Sequence, residues 1–110
     1  MEIVELFKAL SDESRIRILN ILKNRTLFVC DIENILGLSQ VNASRHLSKL
    51  KNANIIISEK KSQWVYFNIN SDLIKKYSFI QNLLDNNMYE QIFTSDIEKL
   101  HTYLLNKTQC

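Results

Sequence analysis

The single glycine of this 110-residue chain, Gly37, separates two helical segments of opposite character, and no proline interrupts the chain anywhere. Before it, Ile32, Ile35 and Leu36 make one apolar helix face. Glycine adopts the left-handed conformation past a helix end at little cost, so Gly37 marks a stop. Leu38 supplies a turn residue for the core, and the Ser39 hydroxyl can cap a second helix. That helix carries Ala43, Leu47 and Leu50 at i, i+4 and i+7, a single buried stripe. Its other face shows Gln40, Asn42, Ser44, Arg45, Ser48 and Lys49. Two helices joined by a tight turn, the second polar and basic outside, follow the helix-turn-helix plan for the DNA major groove. The blander alternative is an amphipathic helix with a solvated polar face.

The outward residue types suit base and phosphate contact. Arginine forks onto guanine, and asparagine or glutamine pairs with adenine. Serine and lysine suit phosphates, which position a protein without reading sequence. Net charge is only +2, but it is unevenly placed. Residues 40–61 hold Arg45, Lys49, Lys51, Lys60 and Lys61 against Glu59, a local balance of +4. Residues 71–110 hold four lysines against five acids, a balance of −1. The positive field is concentrated at the candidate recognition element.

Upstream, Ile3, Leu6, Phe7 and Leu10 predict a short amphipathic helix that needs a surface to lie on. Ser11 and Asp12 offer a cap for a scaffold helix over about 12–24, with Ile16, Ile18, Leu19, Ile21 and Leu22. Arg15 and Arg17 near its start suit an ion pair or a phosphate. Residues 26–29 are a short β-prone run. Beyond the second helix, Asn54 suits a C-cap. Residues 55–69 then read as two strands around the turn Lys61-Ser62-Gln63, a "wing" with a basic tip. Trp64 and Tyr66 suit packing of the hairpin or stacking on a base. The candidate DNA-contacting set is Ser39, Gln40, Asn42, Ser44, Arg45, His46, Lys49, Lys51, Lys60, Lys61 and Gln63. His46 lies beside the buried stripe, as a packing residue or a phosphate donor.

Ser71 and Asp72 suit the cap of a further helix. Leu73, Tyr77, Ile80 and Leu84 repeat at coiled-coil-like spacing, as do Phe93, Ile97, Leu100 and Leu104, in two or three helical pieces whose breaks the sequence leaves open. Ser95-Asp96-Ile97-Glu98 matches a capping box. These stripes exceed what a small winged helix must cover. With Ile3, Leu6 and Phe7 they predict a two-fold dimer interface, which would match a palindromic operator. The expected fold is mostly α (α+β): a winged helix-turn-helix over 1–70, with a C-terminal helical dimerisation segment over 71–110 in the same compact domain.

No signal peptide or membrane-spanning run is legible, and Cys30 and Cys110 make no disulfide framework. A cytoplasmic, DNA-associated protein is expected, with reduced thiols. Nothing resembles a phosphate loop, a paired metal motif or a nucleophile set near His46 or His101, so an enzyme is not expected. The rival to a DNA-binding regulator is a winged helix used for protein interaction.

The order of motifs over residues 3–70 resembles the ArsR/SmtB family of winged-helix repressors. The carrying stretches are Phe7–Asp12, Arg15–Leu19, Val29–Ile32, Leu38–Gln40, Ser44–Leu50 and Gln63–Phe67. The resemblance implies a dimeric repressor released from its operator by an inducer, usually a metal or metalloid ion. It also implies that Gln40, Asn42, Ser44 and Arg45 lie in the groove. The sensor pattern departs. The Cys-x-Cys-x-x-Cys run of arsenic- and antimony-sensing members falls here on Phe28, Cys30 and Glu33, and As(III) prefers three soft thiolates. Asp96, Glu98 and His101 are the nearest match to the zinc ligands of other members, at different spacing. The remaining metal-site reading joins Cys30 to Cys110, with As(III), Sb(III) or another thiophilic ion as inducer, or thiol oxidation in its place. A repressor without inducer sensing is the alternative.

Overall fold

The structure, a computed structural model, describes residues 1–107. Its elements in chain order are α1 (Glu2–Leu10), α2 (Glu13–Leu22), β1 (Leu27–Phe28), α3 (Val29–Leu36), α4 (Gln40–Asn52), β2 (Ile56–Lys61), β3 (Trp64–Ile69), α5 (Ser71–Lys76), α6 (Ser78–Asn86) and α7 (Gln91–Asn106). α2 is the central scaffold. Ile18, Leu19, Ile21 and Leu22 are all fully buried, and Asp12 caps the helix by accepting the Arg15 N–H at 3.1 Å.

The turn between α3 and α4 forms as its residues dictate. Gly37 has φ +68°, and the Leu38 N–H closes α3 onto the Glu33 carbonyl at 3.1 Å. A Cβ at Gly37 would meet nothing within 4 Å. Glycine is therefore favoured there by the backbone angle and not by crowding. The Ser39 Oγ accepts the Asn42 N–H at 3.2 Å and starts α4. Ala43, Leu47 and Leu50 are buried, as their spacing predicts. α4 ends with Asn54 at φ +63°, while the Ile55 N–H donates to the Leu50 carbonyl and the Asn54 N–H to that of Lys51. That pair of bonds is a Schellman motif with asparagine in the glycine position.

β2 and β3 pair antiparallel from Ile56↔Ile69 to Lys61↔Trp64, leaving a two-residue turn whose Ser62 has φ +59°. Lys61 thus ends the strand instead of opening the turn. The expected two-stranded wing is extended by β1 on the other edge of β3, in the order β1-β3-β2.

Four expectations, for residues 71–106 and for the dimer surface they share with α1, need correction. The cap of α5 is Asn70, whose side chain accepts the Asp72 N–H, and not Ser71 or Asp72. The Leu73-Tyr77-Ile80-Leu84 repeat is not a continuous coiled-coil-like seam, because the chain breaks between α5 and α6 at Tyr77 (φ −120°, ψ 74°). α7 runs unbroken through residues 95–98, so no capping box forms there. Finally, Leu6, Leu73, Ile80, Leu84 and Leu100 are buried in this chain's own core. They are unavailable as a dimer surface without unfolding it. Ile3, Tyr77 and Ile97 pack half-buried at the core's edge, and Phe93 is also half-buried. Of the expected interface residues, only Phe7 and Leu104 are well exposed.

Candidate nucleic-acid interface

α4 and the wing tip display most of the predicted contacting residues to solvent. Gln40, Asn42, Ser44, Arg45 and Lys49 are exposed on α4, with Lys51 exposed in its last turn. Arg45 is oriented by its own helix, its Nη2 donating to the Asn42 Oδ1 at 3.2 Å one turn away. Lys49 also borders a cleft against α1, beside Glu5 and Lys8. Lys60, Lys61 and Gln63 are exposed at the wing tip. The Ser39 hydroxyl is already engaged as the helix cap.

The wing aromatics settle into packing. Tyr66 and Trp64 lie 4.1 Å and 5.4 Å from the Phe28 ring, centroid to centroid. They fix the wing to the sheet, and the Lys61 Nζ lies 5.4 Å from the Tyr66 ring centroid.

His46 does not belong to the exposed set. It is only 5 % exposed and faces α2, with Nδ1 3.3 Å from the Arg15 Nη1 and 3.7 Å from the Asp12 Oδ1. Burial holds its pKa below the ordinary 6.5. Asp12 opposes that shift, and Arg45 and Arg15 reinforce it. Arginine can only donate, so the neutral Nδ1 accepts. Arg15 also donates through Nε to the Ala9 carbonyl at 2.6 Å. His46 thus anchors the recognition helix to the α1–α2 junction and does not reach outward.

The sequence reading missed Val41, an apolar side chain 76 % exposed at the start of α4. Its signal was legible: it falls off the 43/47/50 stripe. An exposed methyl pair on a groove-entering helix suits the thymine methyl.

The region of the family's sensor is built differently. Cys30 sits half-buried in the first turn of α3 and, against the expectation of a reduced thiol, is not free. Cys110 lies outside the described residues. Beside Cys30, the buried Asp31 carboxylate accepts the Phe28 N–H at 2.8 Å and the Tyr103 hydroxyl at 2.7 Å. It also pairs with the Lys107 Nζ at 2.8 Å. Burial, followed by the bond to Asp31, pushes the Tyr103 phenol up to about 12. The trio Asp96, Glu98 and His101 is not a ligand set. Asp96 is fully buried and takes Arg17 through two bonds of 2.8 Å and 3.0 Å, which raise the guanidinium pKa. Glu98 and His101 are exposed. Among the described residues, no group of three or more His, Cys, Asp or Glu could hold a metal ion. A three-thiolate As(III) site therefore does not fit them.

Comparison with known proteins agrees with this architecture. Residues 12–58 match the profile of the family described as "Bacterial regulatory protein, arsR family". The chain is 38% identical over 77 residues to a cadmium resistance transcriptional regulatory protein CadC homolog of Staphylococcus aureus, covering 69% of this chain and 64% of the relative. It is 39% identical over 69 residues to the arsenic resistance transcriptional regulator ArsR1 of Pseudomonas putida, covering 62% and 54%. The matches thus span just over half to about two thirds of those relatives. The solved structure of HlyU from Vibrio cholerae superposes with a TM-score of 0.66 at 30% identity, covering 76% of this chain and 91% of that one.

The fold is a winged helix-turn-helix, and the chain belongs to the arsR family of bacterial regulatory proteins. This is a family of transcriptional regulators and not of enzymes. No helix among the described residues is long and apolar enough to cross a membrane.

Proposed function

We propose that the chain is a cytoplasmic, DNA-associated transcriptional repressor that binds a palindromic operator as a homodimer. The observation that carries this reading is the exposed α4 face of Gln40, Val41, Asn42, Ser44 and Arg45, capped by Ser39 and flanked by the basic wing tip. α4 is 13 residues long, enough to lie in a major groove. The 1–70 part reads DNA. The C-terminal helices support it and share in dimerisation with α1, through Phe7, which stacks on the exposed Phe79, and through Leu104, with the exposed Val4 and Leu105 on the same two helices. Release follows thiol chemistry of the reduced protein at Cys30 acting with Cys110, either oxidation or capture of a thiophilic metalloid such as As(III) or Sb(III). Support for this second part is the place of Cys30, on the helix that leads into α4, and the resistance regulators among the relatives.

The test is fluorescence anisotropy on duplex DNA from upstream of the chain's own gene, in rising chloride and then with arsenite or peroxide. Tight binding that weakens with salt, and that arsenite or peroxide reverses in wild type but not in Cys30→Ser, is expected. Binding that neither reagent alters would remove the thiol part. Binding that is absent or indifferent to salt would remove the DNA part.

A further inference from the structure

We propose that the cleft at the base of the wing binds a small oxyanion, a molecule carrying a phosphoryl or carboxylate group. The cleft holds about 440 Å³ between the α2–β1 loop, the end of β3 and the α5–α6 pair, within the usual range for small-molecule sites. Its walls carry Lys23, Arg25 and Lys75, and no acidic side chain lines it.

Two of these cations are held in place without being neutralised. The Lys23 Nζ donates to the Leu84 carbonyl at 2.8 Å, and the Arg25 Nε to the Lys23 carbonyl at 3.3 Å. Neutral carbonyls fix position while leaving the charge intact. Among the described residues, Lys23, Arg25 and Lys75 form no ion pair, whereas the neighbouring Lys76 has Glu2, Arg17 has Asp96 and Lys107 has Asp31. The floor is apolar, formed by Leu22, Ile74 and Leu84, all buried. An anion seated there would meet three uncompensated cations over a low-dielectric surface, where charge interactions strengthen. Asn24, on the rim between Lys23 and Arg25, is held at φ +61°. That angle is the ordinary one for an asparagine just past a helix end, here the end of α2, and it turns the chain from Lys23 to Arg25 along the rim.

The cleft is separate from the DNA face. Its β3 residues, Asn68 and Ile69, lie at the opposite end of the strand from the wing tip, about 17 Å away along five residues. A free small molecule therefore suits it better than a phosphate of a duplex docked on α4. The assignment does not depend on DNA binding.

The test is a ¹⁵N–¹H titration of the full chain with pyrophosphate and, separately, with citrate, at constant ionic strength in chloride. Saturable shifts are expected at Asn24, Arg25, Thr26 and Asn68. Affinity should fall about tenfold or more in Arg25→Gln/Lys75→Gln and hold in Lys99→Gln, on α7 outside the cleft. The anion that saturates at lower concentration identifies phosphoryl or carboxylate recognition. The assignment is overturned if neither anion gives saturable shifts, if the double variant keeps them, or if duplex DNA alone moves these amides.

Discussion

On α4, the polar side chains Gln40, Asn42, Ser44 and Arg45 all face solvent, and Arg45 bonds to Asn42 within the same helix. On α7, Asp96 and Tyr103 turn inward and bond across the fold, to Arg17 and to Asp31. Both helices are amphipathic and of similar length, 13 and 16 residues. The four polar side chains on α4 stay available for a partner, and the two on α7 hold the domain together. A polar helix face is therefore a functional surface only where the chain has not already satisfied it.

This contrast predicts effects of different kind and size. The largest belongs to α7. Asp96→Ala leaves Arg17 without its carboxylate in a mostly buried place, and should destabilise the fold by about 3–5 kcal/mol in urea unfolding. A loss below about 1 kcal/mol would mean that α7 does not hold the domain as described. On α4, Arg45→Ala should cost about 1–3 kcal/mol in operator affinity and relax specificity at one base pair. Its unfolding free energy should stay within about 0.5 kcal/mol of wild type.

His46 gives a smaller effect that sharpens the boundary between the two behaviours. Burial keeps its folded-state pKa below 6.5, so below about pH 6.5 the unfolded chain takes up a proton that the native chain resists. Stability should be greatest above that pH and fall as pH drops toward the folded-state value, with a slope of at most about 1.4 kcal/mol per pH unit. His46→Gln should flatten this slope across pH 7.5 to pH 5.5 in urea midpoints. The same slope in wild type and variant would place His46 outside the buried set. The smallest effect is at the wing. Lys61→Ala should weaken all DNA sequences alike and reduce the salt slope by about one.

The legibility of the chain follows the range of its interactions. Gly37, Ser39 and Asn54 act within a few residues, through backbone angles and caps, so the helix-turn-helix and its limits could be read locally. The wing was legible for the same reason, and so was the β-prone run that holds β1; its pairing with Tyr66 and Phe67, which joins it to the wing, was not, because those residues lie about 40 positions away. α7 was misread because the partners of Asp96 and Tyr103 lie more than 70 residues upstream. A 4-3-4 apolar repeat is the same whether it covers its own core or a second subunit, so the buried Leu73, Ile80, Leu84 and Leu100 looked like an interface. His46 was open to two readings, packing residue or phosphate donor, and its burial decides for packing. It falls three residues after Ala43 and four before Leu50, on the buried side of α4.

Hydrogen–deuterium exchange of the chain with and without its operator duplex tests the central contrast most directly. New protection is expected over residues 39–49 and at the wing tip, 60–63, with α7 unchanged. Protection on α7 without any on α4, or none at either, would contradict the account.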